Sequence, residues 1–239
     1  MNKTAIIIPS HLAAKRLPNK PLLKIHGKAM ISHVWERSKA SNVTDVFVAT
    51  ADTEILNEIK NSGGNAILTG KQHTTGSDRI HEAIDKLQLD HDIIINVQGD
   101  MPMINPETIN LINNFMIANP NVNVSTVASE ISKDETEDKN VVKAVTEHNL
   151  KKNKFLKALN FKREISNEKF YYHHIGLYAY RKNVLNKFVN MQKTENEINR
   201  SLEQMRFIDH NIDIFVGYTD DNPLSVDTKE DLEKIRKFI

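Results

Sequence analysis

The chain has 239 residues, with 32 Lys and Arg against 31 Asp and Glu, a net charge of +1, 39% hydrophobic and 26% charged residues. That length suits one large α/β domain or two small ones with a sizeable core; the composition excludes a disordered chain, and the near-neutral charge argues against a dedicated nucleic-acid binder. The absence of cysteine excludes disulfides, thiolate zinc sites, Fe–S clusters and a cysteine nucleophile.

In chain order, residues 5–9 are an apolar run stopped by Pro9 and read as a buried strand. The run is too short for the apolar region of a signal peptide, and no stretch approaches the ~18 apolar residues of a membrane span. The expectation is a soluble cytoplasmic protein. Ile31, Val34, Trp35 and Ser38 share a helical face, giving a helix over 29–39. A strand comes next at 46–50, then a helix at 54–61 with Gly63 as its left-handed cap, and a strand at 65–69. Ile80, Ala83, Ile84 and Leu87 form one helix face, 93–98 is another buried strand, and Asn105 with Pro106 opens a helix to about 118. Strands alternating with helices mean βαβ units and a mostly parallel sheet. After about 120 the pattern changes. Residues 124–129, 141–146, 156–161 and 176–180 read as strands without full helices between them, a smaller and partly antiparallel sub-region. The charged stretch 132–139 is the best candidate for a flexible loop. Helices at 195–206 and 229–238 flank a strand at 213–218. The whole is expected to be a single domain over 1–239, with 120–180 as its sub-region.

In an open α/β sheet, ligands sit beyond the carboxyl ends of the strands. The segment after the first strand carries His11, Lys15, Arg16 and Lys20, a set of cations that can grip a polyphosphate. It lacks the P-loop pattern, and the alternative is a solvated basic loop. After the strand at 93–98 come Gln98, Gly99, Asp100, Met101 and Pro102; a carboxylate at a strand end suits a hard cation, or is simply a turn residue. Asp227 and Thr228 read as a helix cap completed by Asp231, and both roles can hold if Thr228 caps while Asp227 faces the cleft. Gly76, Ser77, Asp78 and Arg79 lead into a helix whose N-terminus suits a phosphate or a base, with Ser77 or Asp78 as the cap. His173 and His174 are adjacent, so in a strand they face opposite sides and at most one shares a site with Tyr178.

Together these segments resemble one family. Residues 6–22 resemble its I-I-P-A-R-x-x-S-x-R-L-P-x-K-P-L signature and residues 96–102 its N-V-Q-G-D-x-P. Residues 76–79 resemble G-T-[DE]-R, residues 174–180 H-x-G-x-Y-x-Y, residues 202–206 L-E-Q-L-R, and residues 226–232 V-D-T-P-E-D-L. The family is 3-deoxy-manno-octulosonate (Kdo) cytidylyltransferase, and the six motifs run collinearly across essentially the whole chain. The resemblance implies a nucleotide-diphospho-sugar transferase-like (Rossmann-like) α/β fold with helices on both faces, a homodimer, and CTP and Kdo as substrates. It implies Mg²⁺ on Asp100 and Asp227, with Lys20 the third catalytic residue. It implies CTP binding by His11, Lys15, Arg16, Lys20, Gly76, Ser77, Asp78, Arg79 and Gln98, and sugar binding by Arg163, His174, Tyr178, Glu203 and Gln204. No nucleic acid or membrane partner is implied. The chain departs from the pattern at His11, where the family has arginine, at Lys15, Ser225 and Lys229, and at Met101, where many relatives carry glutamate. The alternatives are a cytidylyltransferase for another acidic sugar and a non-catalytic nucleotide-binding relative.

Overall fold

The computed structural model describes residues 3–14 and 16–238. The chain divides into two compact units, residues 1–110 with 223–239, and residues 111–222; the second contains the 120–180 stretch that the sequence sets apart.

The first unit opens with β1 (Thr4–Ser10), then a 3₁₀ turn at Lys20–Leu22 and a small hairpin of β2 (Lys24–Ile25) and β3 (Lys28–Ala29). Next come α1 (Met30–Lys39), β4 (Asp45–Thr50), α2 (Thr53–Asn61), β5 (Asn65–Leu68), α3 (Gly76–Leu87), β6 (Ile93–Asn96) and, at the boundary, α4 (Pro106–Ala118). Its sheet runs β5-β4-β1-β6, and every pairing is parallel. Consecutive residues Ile6, Ile7 and Ile8 are all fully buried, as are Ile93, Ile94 and Ile95. Both faces of these central strands are therefore covered, which is why they read as unbroken apolar runs rather than alternations. The chain moves from β1 outward to β4 and β5, then returns to the other side of β1 as β6. This reversal leaves a crevice beyond the carboxyl ends of β1 and β6, where open α/β sheets bind ligands. Gly63 has φ +81°, one residue past the Ser62 cap of α2.

The second unit continues with β7 (Val124–Ser129), α5 (Lys133–Glu137), β8 (Lys143–Thr146), α6 (Leu150–Asn153), β9 (Phe155–Lys162), β10 (Tyr171–Arg181), α7 (Lys182–Val189), α8 (Glu195–Arg200), α9 (Met205–Asp209) and β11 (Ile214–Tyr218). Its strands run β10-β7-β11-β9-β8, and β8 pairs again with β10, so the five close on themselves. Only β7 and β11 pair in parallel; the other pairings are antiparallel.

Three expectations change here. The segment 132–139 is not a loop: Ser132 and Glu135 form a reciprocal capping box that starts α5. The helix expected at 195–206 is two helices, because Ser201 takes a left-handed conformation (φ 51°) and the Leu202 N–H turns back to the Glu197 carbonyl. α7 is an additional helix, with Val184, Leu185 and Phe188 as its buried face. The chain returns to the first unit through α10 (Lys229–Ile235), whose Leu232 and Ile235 pack with Val226 against Ile25 and Met30. Among the described residues no helix is long and apolar enough to cross a membrane.

Candidate active site

The crevice of the first unit holds a cavity of about 350 Å³, lined from the loop after β1, the segment before α3, the turn after β6, and Asp227. Its floor depends on Gly99, where a Cβ would stand 2.9 Å from the Pro9 carbonyl oxygen. Only glycine lets the β6 turn come this close to the end of β1.

At one end of the cavity Lys20 is almost buried, its side chain 13% exposed. Its Nζ lies 2.8 Å from Asp100 Oδ2 and 3.1 Å from Asp227 Oδ1. Burial alone would lower the Lys20 pKa, but Asp100 first and Asp227 second outweigh it and raise it. Arg16 Nη2 reaches the other oxygen of Asp227 at 3.0 Å. Backbone geometry sets this meeting, since the Val226 N–H donates to the Asp100 carbonyl at 2.9 Å. Thr228 caps α10 and forms a capping box with Asp231, so the Asp227 carboxylate is spared for the cavity, as expected. Two carboxylates touching one ammonium form a hard, oxygen-only donor pair that fits Mg²⁺. Among the described residues no group of three metal-ligating side chains occurs, so a cation held there would complete its shell with phosphate oxygens and water, as Mg²⁺ commonly does.

His11 lines the same cavity. Burial, then the Arg79 charge, lowers its pKa against the opposing pull of Asp52, so the imidazole is neutral at neutral pH in the free protein. Gln98 and Gly76 also line the cavity. Lys15 lies outside the described residues.

The loop before α3 differs in detail from expectation. The cap is Thr75, whose hydroxyl accepts from the Asp78 N–H. Ser77 is buried at 2% exposure, and neither it nor Asp78 lines the cavity. The hydroxyl that accepts the free N–H groups of a helix start must precede the first turn, and Thr75 fills that place. Arg79 is buried, donating to Thr69 Oγ1 at 2.5 Å and to the Gly70 carbonyl at 3.2 Å. It braces the loop through these bonds and lines the cavity as well.

Two residues near these loops escape the motifs. Asp52 accepts the Leu12 N–H at 2.8 Å, fixing the start of the cationic loop. It stands just beyond the carboxyl end of β4, as Asp100 stands beyond β6, so the rule that ligands gather at strand ends also points to it. His73 lines the cavity and hydrogen-bonds through Nε2 to Glu82; a lone histidine in a loop carries no sequence signal for this.

The second unit brings together most of the residues assigned to the sugar. The register of β10 against β7 shifts between Ile175 and Tyr178, a bulge that re-aims side chains. The rings of His174 and Tyr178 lie 5.4 Å apart, edge to face. The Thr126 hydroxyl donates to the Leu177 carbonyl at 2.7 Å, which uses its only hydrogen. His174 Nε2, 3.0 Å from that oxygen, must then be the N–H donor, leaving Nδ1 as an acceptor. Burial drives the His174 pKa down to about 3. His173 turns the other way, to Glu135 at 2.9 Å. The Tyr178 hydroxyl is buried beside Thr126; burial, then Tyr180 and Glu203, raises its pKa. Glu203 and Gln204 stand in the break between α8 and α9. The break is held by a buried pair: Arg206 donates to Glu197 at 2.5 and 2.7 Å. Arg163 is engaged by backbone, donating to the carbonyls of Arg200 and Lys139 at 3.2 and 3.0 Å.

Residues 5–214 match the family model described as cytidylyltransferase. The 3-deoxy-manno-octulosonate cytidylyltransferase of Rhodospirillum centenum is 41% identical over 239 residues, 98% of this chain and 92% of that protein. That of Paramagnetospirillum magneticum is 40% identical, covering 98% and 96%. Among solved structures, CMP:2-keto-3-deoxy-manno-octonic acid synthetase complexed with CTP superposes with a TM-score of 0.91 at 36% identity, covering 99% of this chain and 98% of that one. A putative glucose-1-phosphate thymidylyltransferase from Bacillus anthracis matches at a TM-score of 0.68 and 14% identity, covering 98% and 94%, a likeness of fold alone.

Proposed function

The chain belongs to the 3-deoxy-manno-octulosonate cytidylyltransferase family, and from that premise we propose that it converts CTP and Kdo to CMP-Kdo and pyrophosphate, with Mg²⁺, through the residues converging on Lys20. The anomeric hydroxyl of the sugar attacks the α-phosphorus in line; the bond to the bridging oxygen breaks, pyrophosphate leaves, and the hydroxyl proton passes to solvent. Such transfer needs positioning and charge neutralisation more than covalent help from the protein.

The observation that carries this reading is the single ammonium of Lys20 touching both Asp100 and Asp227. A triphosphate in the crevice gives Lys20 and Arg16 new acceptors, and each donor that turns to phosphate leaves a carboxylate oxygen open. Asp100 and Asp227 would hold Mg²⁺. When bound, the ion neutralises phosphate charge and lowers the pKa of the attacking hydroxyl. Lys20 and Arg16 then stabilise the negative charge that gathers on the leaving pyrophosphate. On the sugar side, His174 Nδ1, the buried Tyr178 hydroxyl, Glu203 and Gln204 supply polar groups for a polyhydroxylated acid. Arg163, which matches a pocket position of the family, would take the sugar carboxylate with its guanidinium, and to act so it must exchange a backbone carbonyl for that ligand. The homodimer, the cytoplasmic setting and a place in lipopolysaccharide synthesis belong to the same proposal.

The test is direct. Purified protein with CTP, Mg²⁺ and Kdo should release pyrophosphate and form CMP-Kdo, and chelation should stop it. Pyrophosphate release only with an amino-Kdo or sialic-acid-like substrate would overturn the choice of sugar. CTP binding with no product from any acidic sugar would make the chain a nucleotide-binding relative.

A further inference from the structure

The loop between β5 and α3 is fastened with more polar contacts than a connection requires. Glu82, on α3, accepts the Gly70 N–H at 2.9 and 3.1 Å, the Lys86 ammonium at 2.7 Å, and His73 Nε2. Burial would raise the Glu82 pKa, but the hydrogen bonds from Lys86, His73 and Gly70 bring it down to about 2. Glu82 is therefore an ionised, acceptor-only carboxylate throughout the working pH range, and the His73 nitrogen facing it must carry a hydrogen. In the neutral imidazole this fixes the tautomer, and Nδ1 keeps its lone pair. Nε2–Glu82 is the hydrogen bond that His73 makes to the protein among the described residues, and the residue lines the nucleotide cavity beside Thr74, Thr75 and Gly76.

We propose that His73, oriented by Glu82, selects cytosine over uracil: its Nδ1 accepts a hydrogen from the exocyclic amine of cytosine, a position where uracil presents a carbonyl oxygen. An acceptor facing an acceptor is unpaired and repulsive, so the ring discriminates against UTP without any rearrangement of the loop. Glu82 does not touch the nucleotide; it is a positioning residue that sets which nitrogen of His73 is the acceptor.

This inference rests on the chain's being a CTP-using enzyme, and the experiment separates the two. CTP and UTP binding are measured by calorimetry, with Mg²⁺, for the natural protein, His73→Phe and Glu82→Gln. The natural protein should prefer CTP. His73→Phe keeps a ring of similar size without a lone pair, and should cut the CTP-to-UTP affinity ratio by about tenfold, mostly through weaker CTP binding. Glu82→Gln gives a sharper signature. The carboxamide oxygen can still accept the Gly70 N–H while its NH₂ faces His73 Nε2, which inverts the tautomer and points an Nδ1–H at the base. UTP binding should then gain relative to CTP. A ratio within twofold of the natural value in both variants, or equal weakening of both nucleotides, overturns the role of His73 and leaves the function standing. Failure of the natural protein to bind either nucleotide takes the function down, and this inference with it.

Discussion

Replacing Asp227 with Asn separates the two roles that the sequence allows for this residue. The cap of α10 is made by the Thr228 hydroxyl on the Asp231 N–H at 3.2 Å, and by Asp231 Oδ2 on the N–H groups of Thr228 and Asp227 at 2.9 and 3.2 Å. None of these contacts uses the Asp227 side chain. What Asp227→Asn removes is one charge from two ion pairs, with Lys20 at 3.1 Å and Arg16 at 3.0 Å. The Asp227 side chain is 42% exposed and that of Arg16 62%, so solvent screens their pair, which contributes about 0.2–1 kcal/mol; Lys20, 13% exposed, keeps Asp100 as a partner when Asp227 is lost. The melting temperature should fall by only about 2–4 °C for each kcal/mol lost. Turnover should respond differently. Losing half of the carboxylate pair that would hold the metal removes several kcal/mol of transition-state stabilisation, and about 3 kcal/mol is already a hundredfold in rate. Asp227→Asn should therefore show kcat down by about a hundredfold or more, a nearly unchanged melting curve, and a KM for CTP no higher than natural, because Lys20 and Arg16 are freed for phosphate. Asp100→Asn should behave alike. Pyrophosphate release and a thermal melt on the same samples provide the check. A kcat within tenfold of natural refutes the reasoning, and a collapse of the melting temperature would make Asp227 a structural residue.

His11→Arg should tighten CTP binding and flatten its pH profile between about 6 and 8.5. Burial, then Arg79, lowers the His11 pKa in the free protein; a triphosphate raises it in the complex. Binding therefore takes up a proton, and the natural protein's affinity weakens as pH rises through the bound-state pKa; a KM for CTP unchanged across that range in both proteins would count against it. Arg206→Met should cost about 3–5 kcal/mol in urea unfolding, because it strands the Glu197 carboxylate, 8% exposed, in the interior. Adding Glu197→Leu should restore much of the loss, and a double variant no more stable than Arg206→Met would refute the account.

Most of the parallel half is legible in the sequence because its strands are buried on both faces, so that Ile6, Ile7 and Ile8 or Ile93, Ile94 and Ile95 announce themselves as unbroken runs. Asp100 is legible because ligands gather at strand ends and it follows β6 closely; Lys20 and Asp227 lie well past the ends of β1 and β11 and are legible through the motifs that contain them. Thr75 is not legible as a cap because Thr75, Ser77 and Asp78 are all good capping residues and only the backbone decides among them. The break at Ser201 is invisible because a left-handed serine looks like any other, and the apolar spacing of Ile198, Leu202 and Met205 continues across it. Asp52 and His73 act through a backbone N–H of a distant loop and through a partner nine residues away. Neither contact has a local pattern.

The first unit is discontinuous, and this governs when it can be finished as the chain is made. Val226, Leu232 and Ile235 complete the core around Ile25 and Met30, and Asp227 completes the site around Lys20. All come after residues 111–222, which form the other unit. At roughly 5–20 residues per second, synthesis of that insert takes on the order of ten seconds. Throughout that interval the emerging β1–β6 sheet is without α10, and Lys20 can pair only with Asp100. The second unit can close its five strands before α10 is made, so the crevice becomes whole last. The delay is also the window in which Ile25 and Met30 lie open to wrong partners, and in which a chaperone has most to protect.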